Sequence, residues 1–341
     1  MATDYQRRWE PRRGGRSVSD ASRADYYGVP AVHKAHWKWL VIVYFFLGGI
    51  SSASYVIASI AELFGGKEGR RITRVGRYLS LAALLPSPIL LILDLGRPER
   101  FLYMLRIVKL RSPMSVGTWG LTIFGGFCTL SALMEAAHDG LLGSVAPLNR
   151  LLRALPSRPI NVAGSFFGFF VGGYTGVLLG VTAVPLWAKN YLLLGPLFLA
   201  SAMSTATAAI TLVLSFFKDT GPHLLKRLER LDSIMLLAEL GLIVSARINA
   251  GPVISRPVRQ GRLGLLFRWG VIGGGIVMPL LLQTRAAFGR SELPPWVLRL
   301  ASTLVLAGGL LLRYVMIMAG HASADDPQST FAFTRGEDHP C

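Results

Sequence analysis

Residues 191–217 read YLLLGPLFLASAMSTATAAITLVLSFF, a run without a charged side chain, bounded by Lys189 before it and Lys218 after it. A helix rising 1.5 Å per residue needs about twenty apolar residues to cross a hydrocarbon core of about 30 Å, so this run is long enough to span a bilayer. Runs of the same kind recur on both sides of it. The predicted spans are 39–64, 75–95, 116–137, 162–187, 191–217, 231–246, 265–284 and 296–318. Composition agrees: 52% of the 341 residues are hydrophobic and only 16% are charged, with a mean hydropathy of +0.46. A soluble domain of this length needs more charge to cover its surface. The expected fold class is therefore an all-α integral membrane protein with about eight spanning helices.

Residues 1–38 form a basic polar tail carrying Arg7, Arg8, Arg12, Arg13, Arg16 and Arg23, with no apolar region resembling a cleavable signal. Residues 39–320 make the transmembrane domain, and 321–341 a short C-terminal tail. No loop is long enough for a soluble domain. Cys128 and Cys341 lack any CxxC or CxxCH spacing, which excludes an iron-sulfur cluster or c-type haem within this chain. His33, His36, His138, His223, His321 and His339 all fall at or beyond the span ends, so no b-type haem is expected either. The net charge of +17 is spread through nearly every loop. That distribution points to anionic lipid headgroups and partner subunits, and away from nucleic acid.

An even number of spans puts both termini on one side, here called the N-face. Polar residues within or beside the spans are costly in lipid and so mark candidate sites. Asp94 closes the second span in the stretch Asp94-Leu95-Gly96-Arg97-Pro98-Glu99-Arg100-Phe101, where Gly96 and Pro98 turn the chain at the interface. Arg313 lies several residues inside the last span, which ends on the same face, so Asp94 and Glu99 are its expected partners. Arg247, Asn249 and His36 belong to that face as well, and Trp37 and Trp39 read as interfacial anchors. Tyr174, in Gly172-Gly173-Tyr174-Thr175-Gly176, sits near the middle of the predicted fourth span. Its hydroxyl serves either a ligand carbonyl or a neighbouring backbone carbonyl. Glu239 is the clearest intramembrane acid; without a partner it would be neutral, the state suited to relaying a proton. Glu62 and Glu135 lie toward the opposite face. With Glu239 and Asp94 they form a candidate proton path, and a hydrogen bond to a nearby Ser or Thr is the structural alternative for each.

Five stretches together resemble the NrfD/polysulfide reductase membrane-subunit family. They are Tyr44-Phe45-Phe46-Leu47-Gly48-Gly49, Asp94 to Phe101, Ser112-Pro113-Met114-Ser115-Val116-Gly117-Thr118-Trp119, Tyr174-Thr175-Gly176-Val177-Leu178-Leu179 and Leu311-Leu312-Arg313-Tyr314-Val315, in that order over residues 37–321. The resemblance implies a cofactor-free, multi-pass subunit of the inner (plasma) membrane, built as two four-helix bundles. It implies partners too: an iron-sulfur subunit of four-cluster ferredoxin-like character and a catalytic, molybdopterin-type subunit. Electrons would pass between that neighbouring cluster and a membrane quinone, menaquinone or ubiquinone, bound near the docking face. By motif, Tyr174 would hold the quinone; His36 matches by position, and Asp94, Arg97 and Arg313 would line the same site. Arg100, Arg247, Asn249 and His321 are the expected docking residues, and Glu239 could move protons. The basic tail alone places the N-face inside, whereas the resemblance implies an extracytoplasmic docking face. Two other readings fit the residues. A secondary transporter would explain the Leu85-Pro86-Ser87-Pro88 interruption, and a purely structural anchor would bind a partner without quinone.

Overall fold

The computed structural model describes residues 32, 36–96, 99, 101–143, 146–217, 221–288 and 294–335. Arg97, Arg100 and His33 lie outside them, as does most of the basic tail. Among the described residues the regular structure is entirely helical. Seven helical segments are long and apolar enough to cross a membrane: Trp39–Phe64, Gly66–Asp94, Pro113–His138, Ser157–Gly180, Tyr191–Leu214, Gly261–Thr284 and Pro295–Asp325.

The first, α1 (Trp39–Phe64), has the predicted bounds. The second begins nine residues earlier than predicted, because α2 (Gly66–Leu84) follows α1 after a turn at Gly65 and Gly66. Gly66 adopts a φ of 56°, a left-handed conformation that a side chain would strain. The basic stretch 67–74 is thus helical and amphipathic, burying Gly69, Ile72 and Thr73 while its Lys and Arg residues face outward. Pro86 starts α3 (Pro86–Asp94). The short α4 (Phe101–Arg106) precedes α5 (Pro113–His138), with Pro113 at its first position. After α6 (Ala146–Ala154) comes α7 (Ser157–Gly180), which ends seven residues short of the predicted span. The helix then breaks, and a separate turn, α8 (Pro185–Lys189), carries Trp187.

Helix α9 (Tyr191–Leu214) runs back across, and α10 (Pro222–Ile254) is far longer than its predicted span, with a break at Gly251 (φ 68°) ahead of Pro252. Next come α11 (Arg256–Arg259), α12 (Gly261–Leu265), a π-helix over Leu266–Val277 and α13 (Met278–Phe288). The last elements are α14 (Pro295–Asp325) and α15 (Pro327–Arg335).

Helices α1 and α9 form the centre: 78% and 83% of their apolar stretches are buried, against 28% for Gly261–Thr284 at the periphery. Both lie against α7 and α14. Close approach is possible because α7 presents Gly164, Gly168, Gly172 and Gly176 four residues apart. A Cβ on Gly168 would stand 2.9 Å from Val56 Cγ2, and one on Gly172 would stand 3.1 Å from Ser52 Oγ. Such stripes of small residues let helix backbones pack directly where lipid gives no hydrophobic drive.

Candidate functional site

A cavity of about 870 Å³, mouth included, opens where the N-face ends of α1, α3, α5 and α7 meet. Trp37, Val41, Tyr44 and Phe45 contribute from the start of α1; Asp94 and Leu95 from the end of α3; Met114, Gly117 and Thr118 from α5; Tyr174, Thr175 and Leu178 from α7. The wall is mainly apolar, with Tyr174, Thr118, Thr175 and Asp94 among its polar side chains. Because α7 stops at Gly180, Tyr174 is only about 9 Å of helix from the N-face end and not at mid-membrane as its predicted span placed it. Its ring stacks on Phe170 at 4.9 Å and rests on the bare Cα of Gly117, where a Cβ would come 2.5 Å from Tyr174 Cε1. Its hydroxyl donates to the Pro113 carbonyl. Asp94 is half-buried, with the Lys38 charge in electrostatic reach.

Trp37, expected to be an interfacial anchor, instead lines this cavity and stacks at 5.5 Å on Trp187. Trp187 is fully buried, and its indole N–H donates to the Met316 carbonyl at 2.9 Å. Trp39 is 64% exposed and keeps the anchor position. His36 is exposed and does not line the cavity, although it immediately precedes Trp37.

Arg313 is not brought to the cavity, and Asp94 and Glu99 are not its partners. It is buried in the protein centre, where Nη1 donates to Ser201 Oγ at 2.7 Å and to the Gly309 carbonyl at 2.8 Å. The Phe198 and Phe46 rings lie 5.7 and 5.9 Å from its guanidinium carbon. The charge facing it is Glu239. The Ser201 hydroxyl accepts from Arg313 and donates to Glu239, and Ser204 donates to Glu239 at 3.1 Å. Phe45, which lines the cavity, packs edge-on against Phe198 at 6.0 Å, so one aromatic layer separates the cavity from this charged core.

Glu62 and Glu135 lie at the opposite end of the bundle, held by arginines and not by Ser or Thr. Buried Arg77 binds Glu62, donates to Glu135 at 3.2 Å and to Asn161 Oδ1 at 3.1 Å. Arg70 reaches the other Glu135 oxygen at 2.8 Å. The four acids expected to share one proton path therefore occupy three places: the cavity, the core and this far cluster. A further acid, Asp232, is buried on the same face of α10 as Glu239, with Gln283 donating to it at 2.6 Å.

Three of the expected docking residues gather around α8. Asn249 donates to the Lys189 carbonyl at 2.7 Å and to Asn190 Oδ1 at 3.0 Å. Arg247 lines a small cavity beside Trp187 and Asn190, and the His321 ring stands 6.0 Å from Trp187. Among the described residues there is no group of three metal-ligating side chains.

A model of the family described as polysulphide reductase, NrfD, matches residues 29–324, a stretch that contains the cavity, the charged core and the far cluster. The chain belongs to the NrfD family. With seven helices able to span a bilayer, this NrfD-family chain is a multi-pass membrane protein. It is 29% identical over 303 residues to one of the chains of the polysulfide reductase of Wolinella succinogenes, covering 83% of this chain and 94% of the relative. A subunit of the selenate reductase of Mesobacillus selenatarsenatis is 24% identical over 84% of this chain and 74% of its own length. Protein NrfD of Escherichia coli is 25% identical over 83% and 94%.

Several residues that build this NrfD-family chain's interior were not singled out from sequence. Arg77 had a usable signal: it falls inside the predicted second span, as Arg313 falls inside the last, but it reads as the end of the preceding basic stretch. Gly117 lay within a quoted motif and Trp37 read as an anchor, yet only the packing of α5 on α7 and the Trp37–Trp187 stack reveal what they touch.

Proposed function

We propose that this chain is the membrane anchor of a respiratory oxidoreductase in the inner membrane, exchanging electrons between a membrane quinone and a docked iron-sulfur subunit that leads to a catalytic, molybdopterin-type subunit. The observation that carries the reading is the cavity between α1, α3, α5 and α7, which joins an apolar wall for a quinone ring to Tyr174 and Asp94 at the N-face. Two relatives are named as parts of a polysulfide reductase and of a selenate reductase, which supports membership of a multisubunit reductase. The docking surface would be the neighbouring α8 region with Arg247, Asn249 and His321, extended by Arg100. His36, just before Trp37, would stand near the mouth, and Arg97 is proposed for quinone binding on its motif alone.

Oxidising a quinol releases two electrons and two protons. The electrons would pass to a cluster on the docked partner, and both protons need an acceptor in this chain. Because the Tyr174 hydroxyl already donates to Pro113, its oxygen offers lone pairs to a ligand, which suits a quinol hydroxyl; donation to a quinone carbonyl would require the O–H to turn away from Pro113. Asp94 lines the same space and would take up the two protons in turn, passing each to water at the N-face before accepting the next. Glu239, linked through Ser201 to Arg313, would serve any longer proton route. A helix count of eight in two four-helix bundles also fits this reading. The α10 helix lies beside spanning α9 along its length, from the Ser204–Glu239 contact to the Asn190–Asn249 contact.

Two substitutions test the site. Tyr174→Phe removes the hydroxyl and keeps the ring. Quinol-dependent turnover should fall about tenfold, the worth of one hydrogen bond, while the partner subunits still co-purify. Unchanged turnover would make Tyr174 a packing residue and leave a purely structural anchor. Gly117→Val pushes a side chain into the Tyr174 ring, so it should weaken binding of a quinone-site inhibitor by about tenfold or more without loss of helix content by circular dichroism. Unaltered inhibitor affinity would place the quinone elsewhere.

A further inference from the structure

On the face opposite the Tyr174 cavity, a groove of about 1290 Å³ runs between α2 and the end of α9. Its composition is graded along the helix. Arg71 and Arg74 stand at the end near the Gly65–Gly66 turn; Tyr78 follows, and then Leu79 and Ala82 deeper in the bilayer, with Phe217 on the facing wall. Arg71, Val75, Tyr78 and Ala82 succeed one another at helical spacing, so they form one stripe on the outer surface of α2. The Tyr78 hydroxyl donates to Asp139 at 2.8 Å, and Arg74 Nε meets the same carboxylate at 2.8 Å. That pairing pins both side chains at the rim. Arg71 is about 8 Å of helix from the turn, at headgroup depth.

We infer that this groove is a binding site for an anionic phospholipid, with its phosphate at Arg71 and Arg74 and one acyl chain laid between α2 and Phe217. Charge complementarity selects the occupant. The Arg71 guanidinium sits at the level where lipid phosphates lie, beside Arg74, whose own charge is largely met by Asp139, and the wall below them carries no charge. A zwitterionic lipid would fill the apolar part as well but brings a cationic group to the arginines. The tethered Tyr78 gives the site a polar collar between headgroup and chain. A lipid held here would seal the crevice beside the Arg77 cluster, which α2 buries on its other face. The inference needs only the membrane setting of the chain and stands apart from the quinone reading.

The test uses the intact complex, stripped of native lipid and mixed with equal amounts of phosphatidylglycerol and phosphatidylcholine, with retained lipid counted by native mass spectrometry. Phosphatidylglycerol should be enriched about fivefold, the worth of one arginine at its phosphate. Arg71→Gln should cut that enrichment by about fivefold. Ala82→Trp should fill the groove and displace lipid of both kinds, and quinol turnover should be unchanged by it because the Tyr174 cavity lies at the other face. Equal retention of the two lipids, or enrichment that survives both substitutions, would overturn the site; so would a quinone in the groove that Ala82→Trp displaces.

Discussion

Arg77→Ala is expected to lower the melting midpoint of the purified complex by an amount equivalent to about 3–5 kcal/mol, the usual cost of leaving a buried charge without its partner. Arg77 is 3% exposed and Glu135 is wholly buried. The guanidinium serves Glu62, Glu135, Asn161 Oδ1 and the Ser131 carbonyl from one planar group. Without it, Arg70 still meets Glu135 from the half-exposed side, but the Asn161 and Glu62 acceptors lose their donor. Arg77→Lys should recover only part of the loss, because an ammonium has three donors on a flexible stem and cannot match a planar fork. Adding Glu62→Gln to Arg77→Ala should restore some stability, since it removes one of the stranded charges. Melting by fluorescence-detected size exclusion gives the readout. A midpoint unchanged in Arg77→Ala would mean that water screens this cluster and that Glu62 and Glu135 are solvated ends.

The spanning segments were legible because lipid leaves no alternative: backbone groups must bond within the segment, so apolar runs of sufficient length become helices. Their ends were less legible. The stretch 67–74 looks like a loop when its Lys and Arg residues are simply counted, yet they fall on the outward face of α2 while Gly69, Ile72, Thr73 and Arg77 turn inward. The predicted fourth span runs through to Trp187, but the helix ends at Gly180, which packs on the Tyr191 backbone, and α8 folds in separately. The N-terminal part of α10 was hidden by Arg227, Glu229 and Arg230, of which Glu229 is buried. For the π-helix over Leu266–Val277 we have no sequence signal beyond its run of three glycines, Gly273 to Gly275.

The same reasoning explains which site residues were recovered. Tyr174 and Asp94 were reached independently, one by its place among small residues and one as an acid at a helix end, and the fold brings both to one cavity. Depth along a span says nothing about which way a side chain points. That is why Arg313 was assigned to Asp94 and Glu99, at a similar depth on the chain drawn flat, whereas α14 turns it toward Ser201 and Glu239. The same one-dimensional view grouped Glu62, Glu135, Glu239 and Asp94 into one path, although the fold sets them in separate clusters.

The charged core gives the second large effect. Arg313→Met keeps much of the side-chain volume and removes the cation, leaving Glu239, itself buried, with only the Ser201 and Ser204 hydroxyls. The expected loss is again about 3–5 kcal/mol of stability. Glu239→Gln strands Arg313 in the same way, although the Gly309 carbonyl and the Phe198 ring still face the guanidinium, so its cost should be smaller. The double variant removes both charges from the low-dielectric interior. It should therefore be more stable than the sum of the single losses by about 0.5–3 kcal/mol, the range found for groups in one network. Additive losses would mean that the two charges do not sense each other across Ser201. Quinol-dependent turnover separates structure from chemistry in the same variants. If Glu239 moves protons, Glu239→Gln slows turnover even where the complex remains assembled, and the double variant recovers stability without recovering rate. If Glu239 is only the counter-charge of Arg313, rate and stability return together.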